Sequence, residues 1–393
     1  MVMRYFVLKP FHIPKEWIQA RETTLPVEES LGLVLAKSAL AETDIPSVSF
    51  AKRDGWAVCA SDLDLLGTRI PVEGCCKAGD TPTLLVPGTA VRINTGAAIP
   101  QGADAVIASL NPADRTAFLA EVAQGENIVP RASDWHKGEE ILPAGIRVGV
   151  RELALLTEAN ITHIHAILKP RVTIVATGSE IQAGFHTQCS HIQKHSGNAI
   201  YLSALMRRIG IEDTKIVTIR DDKAELAQLL LNEAQHSDLI ITIGGTGRGS
   251  CDFTRQALNL AGATFIPQPA LEEKHQPFVV AKIQNTAILG LPGNPLGVIM
   301  ITQGALLQVM RKAFLLPETP RRRVQALITE PIEDGVVGDL CVSLYETDGI
   351  YQAEPVKKGS GYSYIFSSAN GIVKLVGAGI APGDKVTVSI FDN

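Results

Sequence analysis

No uninterrupted apolar stretch of this chain approaches the ~18 residues that a membrane-spanning helix requires. The opening MVMRYFVLKPFHIPKEW sets Lys9, Pro10 and Lys15 where the apolar core of a secretory signal would run, so a cytoplasmic location is expected. Cysteine is sparse: 6 in 393 residues, at positions 59, 75, 76, 189, 251 and 341, with no CxxC spacing. That pattern argues against a disulfide-built scaffold and predicts reduced thiols. Charge of one sign is not in excess either. Lys+Arg 36 against Asp+Glu 41 leaves a net charge of -5, which supplies no basic footprint for nucleic acid and no polybasic membrane surface. Repeats of solenoid period and low-complexity tracts are missing as well.

What the chain has is 46% hydrophobic and 20% charged residues over 393 positions, enough to bury several cores. By a prior of ~150 residues per domain, two to four domains are expected. From Val172 to about Phe314, apolar β-branched runs alternate with helical patterns. The strand candidates are Val172 to Gly178, Lys215 to Ile219, Asp238 to Gly245 and Ala287 to Gly293. Helical spacing follows in NAIYLSALMRRIG, DKAELAQLLLNEAQ and FTRQALNLAG. Continuous apolar strands suit a parallel sheet covered on both faces, so a three-layer α/β domain with its ligand beyond the strands' carboxyl ends is predicted. Residues 46–136 carry short β-type runs split by Gly, Pro and Asp, as in a small β domain. Leu25 to Leu35 and Val150 to Asn160 each offer a short amphipathic helix, and the stretch after Pro320 reads as a C-terminal β module.

Three predicted strands end in glycine-bearing turns: Thr177-Gly178-Ser179-Glu180, Gly244-Gly245-Thr246-Gly247-Arg248-Gly249-Ser250-Cys251-Asp252, and Pro292-Gly293-Asn294-Pro295. Glycine lets backbone N–H groups approach a ligand, and a following helix adds its positive end, so such turns favour phosphate or another oxyanion. The middle loop lacks the Gly-Lys-Ser/Thr of a Walker loop, and Ser250 breaks strict GxGxxG. With no Gly-x-Ser-x-Gly elbow, nucleophilic hydrolysis is also unsupported. Asp221 and Asp252 follow neighbouring strands and can converge on one crevice. Carboxylates beside a phosphate nest would repel the anion unless a hard cation such as Mg²⁺ bridges them. Asp222 reads first as a helix N-cap. Cys189, His191 and His195 have metal-compatible spacing in a polar loop where a solvated reading is favoured, and His163 and His165 alternate as on one strand face.

The chain resembles the molybdopterin molybdenumtransferases, the MoeA and gephyrin E-domain family. RDGWAV (53–58) is similar to the family's MDGYAV, RINTGAAIPQGADAVI (92–107) to its TGA-P-GAD-V segment, and GENIVPRASDWHKGEEILPAG (125–145) to its N-I-R-GED-GE stretch. ATGSEI, IRDD, the Gly-Gly loop ending in Asp252, LPGNP and the GSGYSYIFSSANGIVKL segment continue the resemblance. It implies four domains: an elongated dimerisation domain from 1–45 and 137–168, an inserted β domain over 46–136, an α/β molybdopterin-binding domain over 169–317, and a C-terminal β-barrel-like domain over 318–393. It also implies insertion of molybdate into adenylylated molybdopterin with release of AMP, assisted by Mg²⁺.

Carried over by motif, Asp221, Asp252 and Asp54 are the catalytic positions, with Asp252 and Asp221 holding the metal. Thr95, Asp134, Gly178, Glu180, Gly244, Gly245, Thr246, Gly247, Pro292 and Pro295 are the binding positions. The resemblance further implies a homodimer in which Asp54, Thr95 and Asp134 serve the partner's pocket. A molybdopterin adenylyltransferase and molybdoenzymes are its implied supplier and recipients. This chain departs from the family where lysines are expected: Pro269 to Pro277 reads PALEEKHQP, with Glu273 and Gln276 near the lysine positions. The Gly-Gly loop carries Gly247 and Arg248 in place of a serine-valine pair, and the DTN before the next helix reads Ser196-Gly197-Asn198. Two readings follow: an active transferase with a modified anion pocket, or a non-catalytic paralogue that binds molybdopterin or the finished cofactor.

Overall fold

The computed structural model describes residues 7–8, 17–63, 69–109, 116–118, 122–182, 190–245, 253–266, 278–316, 322–357 and 362–391. Two compact units divide the chain: Met1–Arg21 with Ile167–Asn393, and Glu22–Ala166.

The first unit contains the βαβ series. Its elements are β1 (Val172–Thr177), α1 (Gly197–Arg208), β2 (Thr214–Ile219), α2 (Lys223–Ala234), β3 (Leu239–Ile243), α3 (Phe253–Leu260), β4 (Thr264–Phe265), β5 (Val279–Ile283) and β6 (Thr286–Leu291). One sheet runs in the order β2-β1-β3-β6-β5-β4. The first four strands are parallel, as the alternation of apolar runs and helices predicts. The last two add an antiparallel edge that the sequence reading does not contain. A two-residue turn at Gln284-Asn285, with Gln284 at φ 54, joins β5 to β6. A positive φ at the first turn residue matches the twist of a tight hairpin, which is why pairing can proceed without a crossover helix.

The central strands β1, β3 and β6 are buried at every position because both faces are covered. Ile174, Ile241 and Leu289 enter a core with Leu202 and Met206 of α1. Their neighbours Val175, Ile240 and Ile288 enter a second core with Leu226 and Leu230 of α2 and Leu258 of α3. Period-two alternation thus sends successive residues into opposite layers. After β6 the chain continues as α4 (Pro295–Ile301), one π-helical turn (Thr302–Leu306) and α5 (Leu307–Ala313).

The N-terminal segment is tied to this sheet. Trp17 is buried, and its indole Nε1 donates to the Ala281 carbonyl at 2.8 Å. Arg21 and Arg171 both pair with Asp238, at 2.8 and 3.3 Å, and the Leu168 amide donates to the Arg21 carbonyl at 2.8 Å. The chain therefore leaves this unit and returns to it at adjacent points.

The C-terminal strands β7 (Arg323–Ile328), β8 (Val337–Thr347), β9 (Ile350–Pro355), β10 (Gly371–Val376) and β11 (Lys385–Ile390) form a closed barrel in the order β8-β9-β7-β11-β10, with β10 returning to β8. The segment expected to be wholly β also holds α6 (Tyr362–Ser368). Ile365 and Ala369, four apart and therefore on one helical face, explain it: both are buried in the core that includes β1 and α1.

In the unit of 22–166, a five-stranded sheet takes the order Thr116–Phe118, Arg69–Cys76, Ala90–Ile93, Gly55–Val58, Ala105–Ala108. Its two faces carry separate small cores, one around Ala57 and Ile93 and the other around Trp56 and Ile70. Gly55 has no alternative here, since a Cβ would lie 2.0 Å from the Ile107 carbonyl oxygen. A third core gathers Leu25, Leu35, Ile141, Leu156 and Ile164 beneath the helix Val150–Glu158.

The helix expected over Leu25 to Leu35 is absent. Only a 3₁₀ turn, Val27–Glu29, forms before Gly32 at φ 80 turns the chain into a strand, Val34–Leu35. Leu35 is held there by donating to the Ile146 carbonyl at 2.9 Å. An apolar 3.6-residue spacing is overridden when a left-handed glycine interrupts it.

Candidate functional site

A cavity of about 420 Å³ opens at the carboxyl ends of β1, β3 and β6. Thr177, Glu180, Lys194, Asn198, Gly293 and Phe366 are among its lining residues. The position is the one physics favours for an open parallel sheet, where strand ends diverge and helix starts point inward.

Glycine-bearing turns follow directly on Thr177 and Ile243, two of the strand-end residues that line the cavity. Gly178 has φ 148, Gly244 φ 97 and Gly245 φ 63. A Cβ on Gly244 would stand 2.7 Å from Thr177 Oγ1, and one on Gly245 would stand 2.7 Å from Thr254 Oγ1. Thr177 Oγ1 donates to the Ile243 carbonyl at 3.0 Å, and Thr254 Oγ1 donates to the Gly244 carbonyl at 2.9 Å. Two threonine hydroxyls thus fasten the turn after β3 to its neighbours. Pro295 opens α4 as its first residue, and the preceding Asn294 caps the helix by accepting from the Gly297 amide at 2.7 Å. Pro292 is buried, and Gly297 lets it pack, since a Cβ there would meet Pro292 Cγ at 2.5 Å.

Asp221 is exposed just past β2, and its Oδ2 accepts from the Ser179 amide at 3.1 Å. Ser179 Oγ in turn faces the Asp221 amide at 3.5 Å, so the turns after β1 and β2 are linked at the cavity's edge. Asp222 caps α2 by accepting from the amides of Ala224 at 2.8 Å and Glu225 at 2.9 Å. Those amides, Glu225 first, hold its carboxyl below the usual carboxylate range. Glu180 Oε1 pairs with Lys194 at 3.5 Å on the cavity wall. Thr246, Gly247 and Asp252 lie outside the described residues, as do Cys189, Arg248 and the Pro269 to Pro277 stretch. Among the described residues no group of three His, Cys, Asp or Glu side chains could hold a metal ion.

In the unit of 22–166, Asp54 Oδ1 accepts from the Thr95 amide at 2.7 Å and from Asn94 Nδ2 at 3.4 Å. The Thr95 amide is the main cause of an Asp54 carboxyl held below its ordinary range. Asp134 is exposed, and its amide donates to the Ile45 carbonyl at 3.0 Å. Asp44, which sequence reasoning did not nominate, straps this segment: it accepts from the Lys137 amide at 2.9 Å and pairs with Arg131 at 2.7 Å. His195, Ser196, Asn198 and Phe366 were likewise not nominated as pocket residues. His195 is half-buried in the wall rather than solvated. For Asn198 a sequence signal existed, its place just after a serine at a helix start; for Phe366 none did.

Residues 7–159 match the family described as MoeA N-terminal region (domain I and II), and residues 173–312 match the probable molybdopterin binding domain. The chain belongs to the MoeA family. Among MoeA relatives, molybdopterin molybdenumtransferase 2 of Mycobacterium tuberculosis is 29% identical over 327 residues, covering 79% of this chain and 79% of that protein. The molybdopterin molybdenumtransferase of Haemophilus influenzae is 29% identical over 282 residues, 70% of this chain and 69% of that one. A solved molybdopterin biosynthesis MoeA protein from Pyrococcus horikosii has the same fold, with a TM-score of 0.69 at 24% identity over 96% of each chain.

Proposed function

We propose that this MoeA-family chain is a molybdopterin molybdenumtransferase, which inserts molybdate into adenylylated molybdopterin in molybdenum cofactor biosynthesis and releases AMP. The observation that carries the reading is the cavity at the parallel strand ends, whose lining residues Thr177 and Ile243 lead directly into the positive-φ glycines Gly178 and Gly244-Gly245, turns of the kind that present main-chain amides to an anion. Oxyanions of the substrate face those turns, and Lys194 in the cavity lining supplies a cation.

Mg²⁺ assists in this reading, neutralising charge between phosphoryl oxygens. A protein site for Mg²⁺ needs only one or two carboxylates beside substrate phosphates, and exposed Asp221, with Asp252 as the second carboxylate, would meet that need. Asp221 would hold the ion through the oxygen not committed to the Ser179 amide. Two copies associate so that Asp54, Thr95 and Asp134 of one serve the cavity of the other, and the protein acts in the cytoplasm. An adenylyltransferase supplies its substrate, and molybdoenzymes take its product.

The test is direct. Purified protein with adenylylated molybdopterin, Mg²⁺ and molybdate is expected to release AMP in a molybdate-dependent manner. Tight pterin binding with no AMP release at any molybdate concentration would instead assign the chain as a carrier of molybdopterin or of the finished cofactor.

A further inference from the structure

The glycine turns at the strand ends suit charged oxygens, whereas another wall of the cavity carries an aromatic ring and an amide oxygen. That wall joins α1 to α6, elements far apart in the chain. The Phe366 ring of α6 lines it and is 39% exposed. A Cβ on Gly197 would stand 3.4 Å from Phe366 Cε2, so the bare glycine lets the ring rest against the first turn of α1. Tyr201 of the same helix also meets the ring, with centroids 5.8 Å apart and planes tilted by 45°. The Tyr201 hydroxyl accepts from Gln303 Nε2 at 3.1 Å, which ties the pair to the π-helical turn. Asn198, 8% exposed, completes the wall. Its Nδ2 donates to the Gly293 carbonyl at 2.9 Å, which fixes the orientation of the amide. Asn198 Oδ1 is then a buried acceptor with no donor among the described protein groups. Such an acceptor is costly until something donates to it. A carbonyl oxygen repels an oxyanion, whereas an aromatic face beside a lone acceptor suits a planar ring with an N–H edge.

We propose that Phe366, delivered by the C-terminal barrel, is a stacking wall for a planar heteroaromatic ring whose edge N–H is received by Asn198 Oδ1. The inference rests on reading the cavity as the substrate site and names the part of the substrate that enters it. Adenylylated molybdopterin carries two rings of this chemistry, the pterin and the adenine. Titrations of wild type, Phe366→Leu, Phe366→Tyr and Gly197→Thr with molybdopterin alone and with AMP alone separate them. Phe366→Leu and Gly197→Thr are expected to weaken one of the two ligands about tenfold, equivalent to ~1.4 kcal/mol, while Phe366→Tyr keeps wild-type affinity. Asn198→Ala is expected to weaken the same ligand. A loss confined to molybdopterin identifies the pterin as occupant; a loss confined to AMP identifies the adenine. Unchanged affinity for both ligands in Phe366→Leu and Gly197→Thr overturns the proposal. Molybdate-dependent AMP release by the wild type is measured alongside. Its absence would count against the transferase reading while leaving a ring-binding result intact, and its presence with unaltered affinities removes only the stacking wall.

Discussion

Asp54 and Cys341 show how single side chains take their chemistry from neighbours. The Thr95 amide and Asn94 side chain hold the Asp54 carboxyl below its ordinary value. A folded-state pKa below the unfolded one means that the stabilising contact is complete above the unfolded value and is lost as pH falls through the folded one. The Thr95 amide proton, followed by NMR during acid titration, should therefore inflect below the ordinary aspartate value of ~3.9 and show no such step in Asp54→Asn. An inflection at or above that value would contradict the hydrogen bond's direction. Burial, by contrast, pushes the Cys341 thiol up to about 12. Iodoacetamide at neutral pH should label exposed Cys75 in the native protein and spare Cys341 and buried Cys76, read by peptide mass spectrometry.

At the scale of elements, the turn after β3 is the most constrained piece of the site. Gly244→Ala places a methyl 2.7 Å from Thr177 Oγ1 and 3.0 Å from the Thr177 carbonyl oxygen, at φ 97. It should cost about 1–3 kcal/mol of stability in urea unfolding and weaken ligand binding more than it weakens the fold. A variant with wild-type stability and wild-type affinity would mean that the glycines only turn the chain. The parallel strands and the helices from 197 to 260 were legible because each is a local pattern: an apolar run, a helical period, and for one helix the cap Asp222. What was not legible depended on distant partners. The hairpin edge of β5 and β6 looks like another buried run until it pairs, and α6 exists because Ile365 finds a core built by strands nearly two hundred positions earlier. The false helix at 25–35 had the right period, but Gly32 and the Ile146 carbonyl decided against it. The site divides the same way. Gly178, Glu180, Gly244 and Pro295 could be nominated from turns at strand ends, whereas Phe366 has meaning only once the barrel brings it to Gly197.

For the whole molecule, the proposed sharing of sites between copies has a quantitative signature. If Asp54 of one copy serves the cavity of the other, a mixture of inactive Asp54→Ala and inactive Asp221→Ala proteins should regain about a quarter of wild-type turnover after subunit exchange, because half the dimers are mixed and each has one intact site. Turnover no greater than that of the separate variants would place both residues in the same copy's site. The path of the chain carries its own implication. Leu168 meets Arg21 through a single backbone hydrogen bond of 2.8 Å, so the 145 positions between the two units' boundaries, Glu22–Ala166, form a loop with its feet together. Joining the flanking residues with a short linker should leave a shortened protein that melts cooperatively on its own, as measured by calorimetry. A gene encoding only the sheet and the barrel is thus one deletion away, and the present architecture could have arisen by the reverse event without either hydrophobic interior being opened.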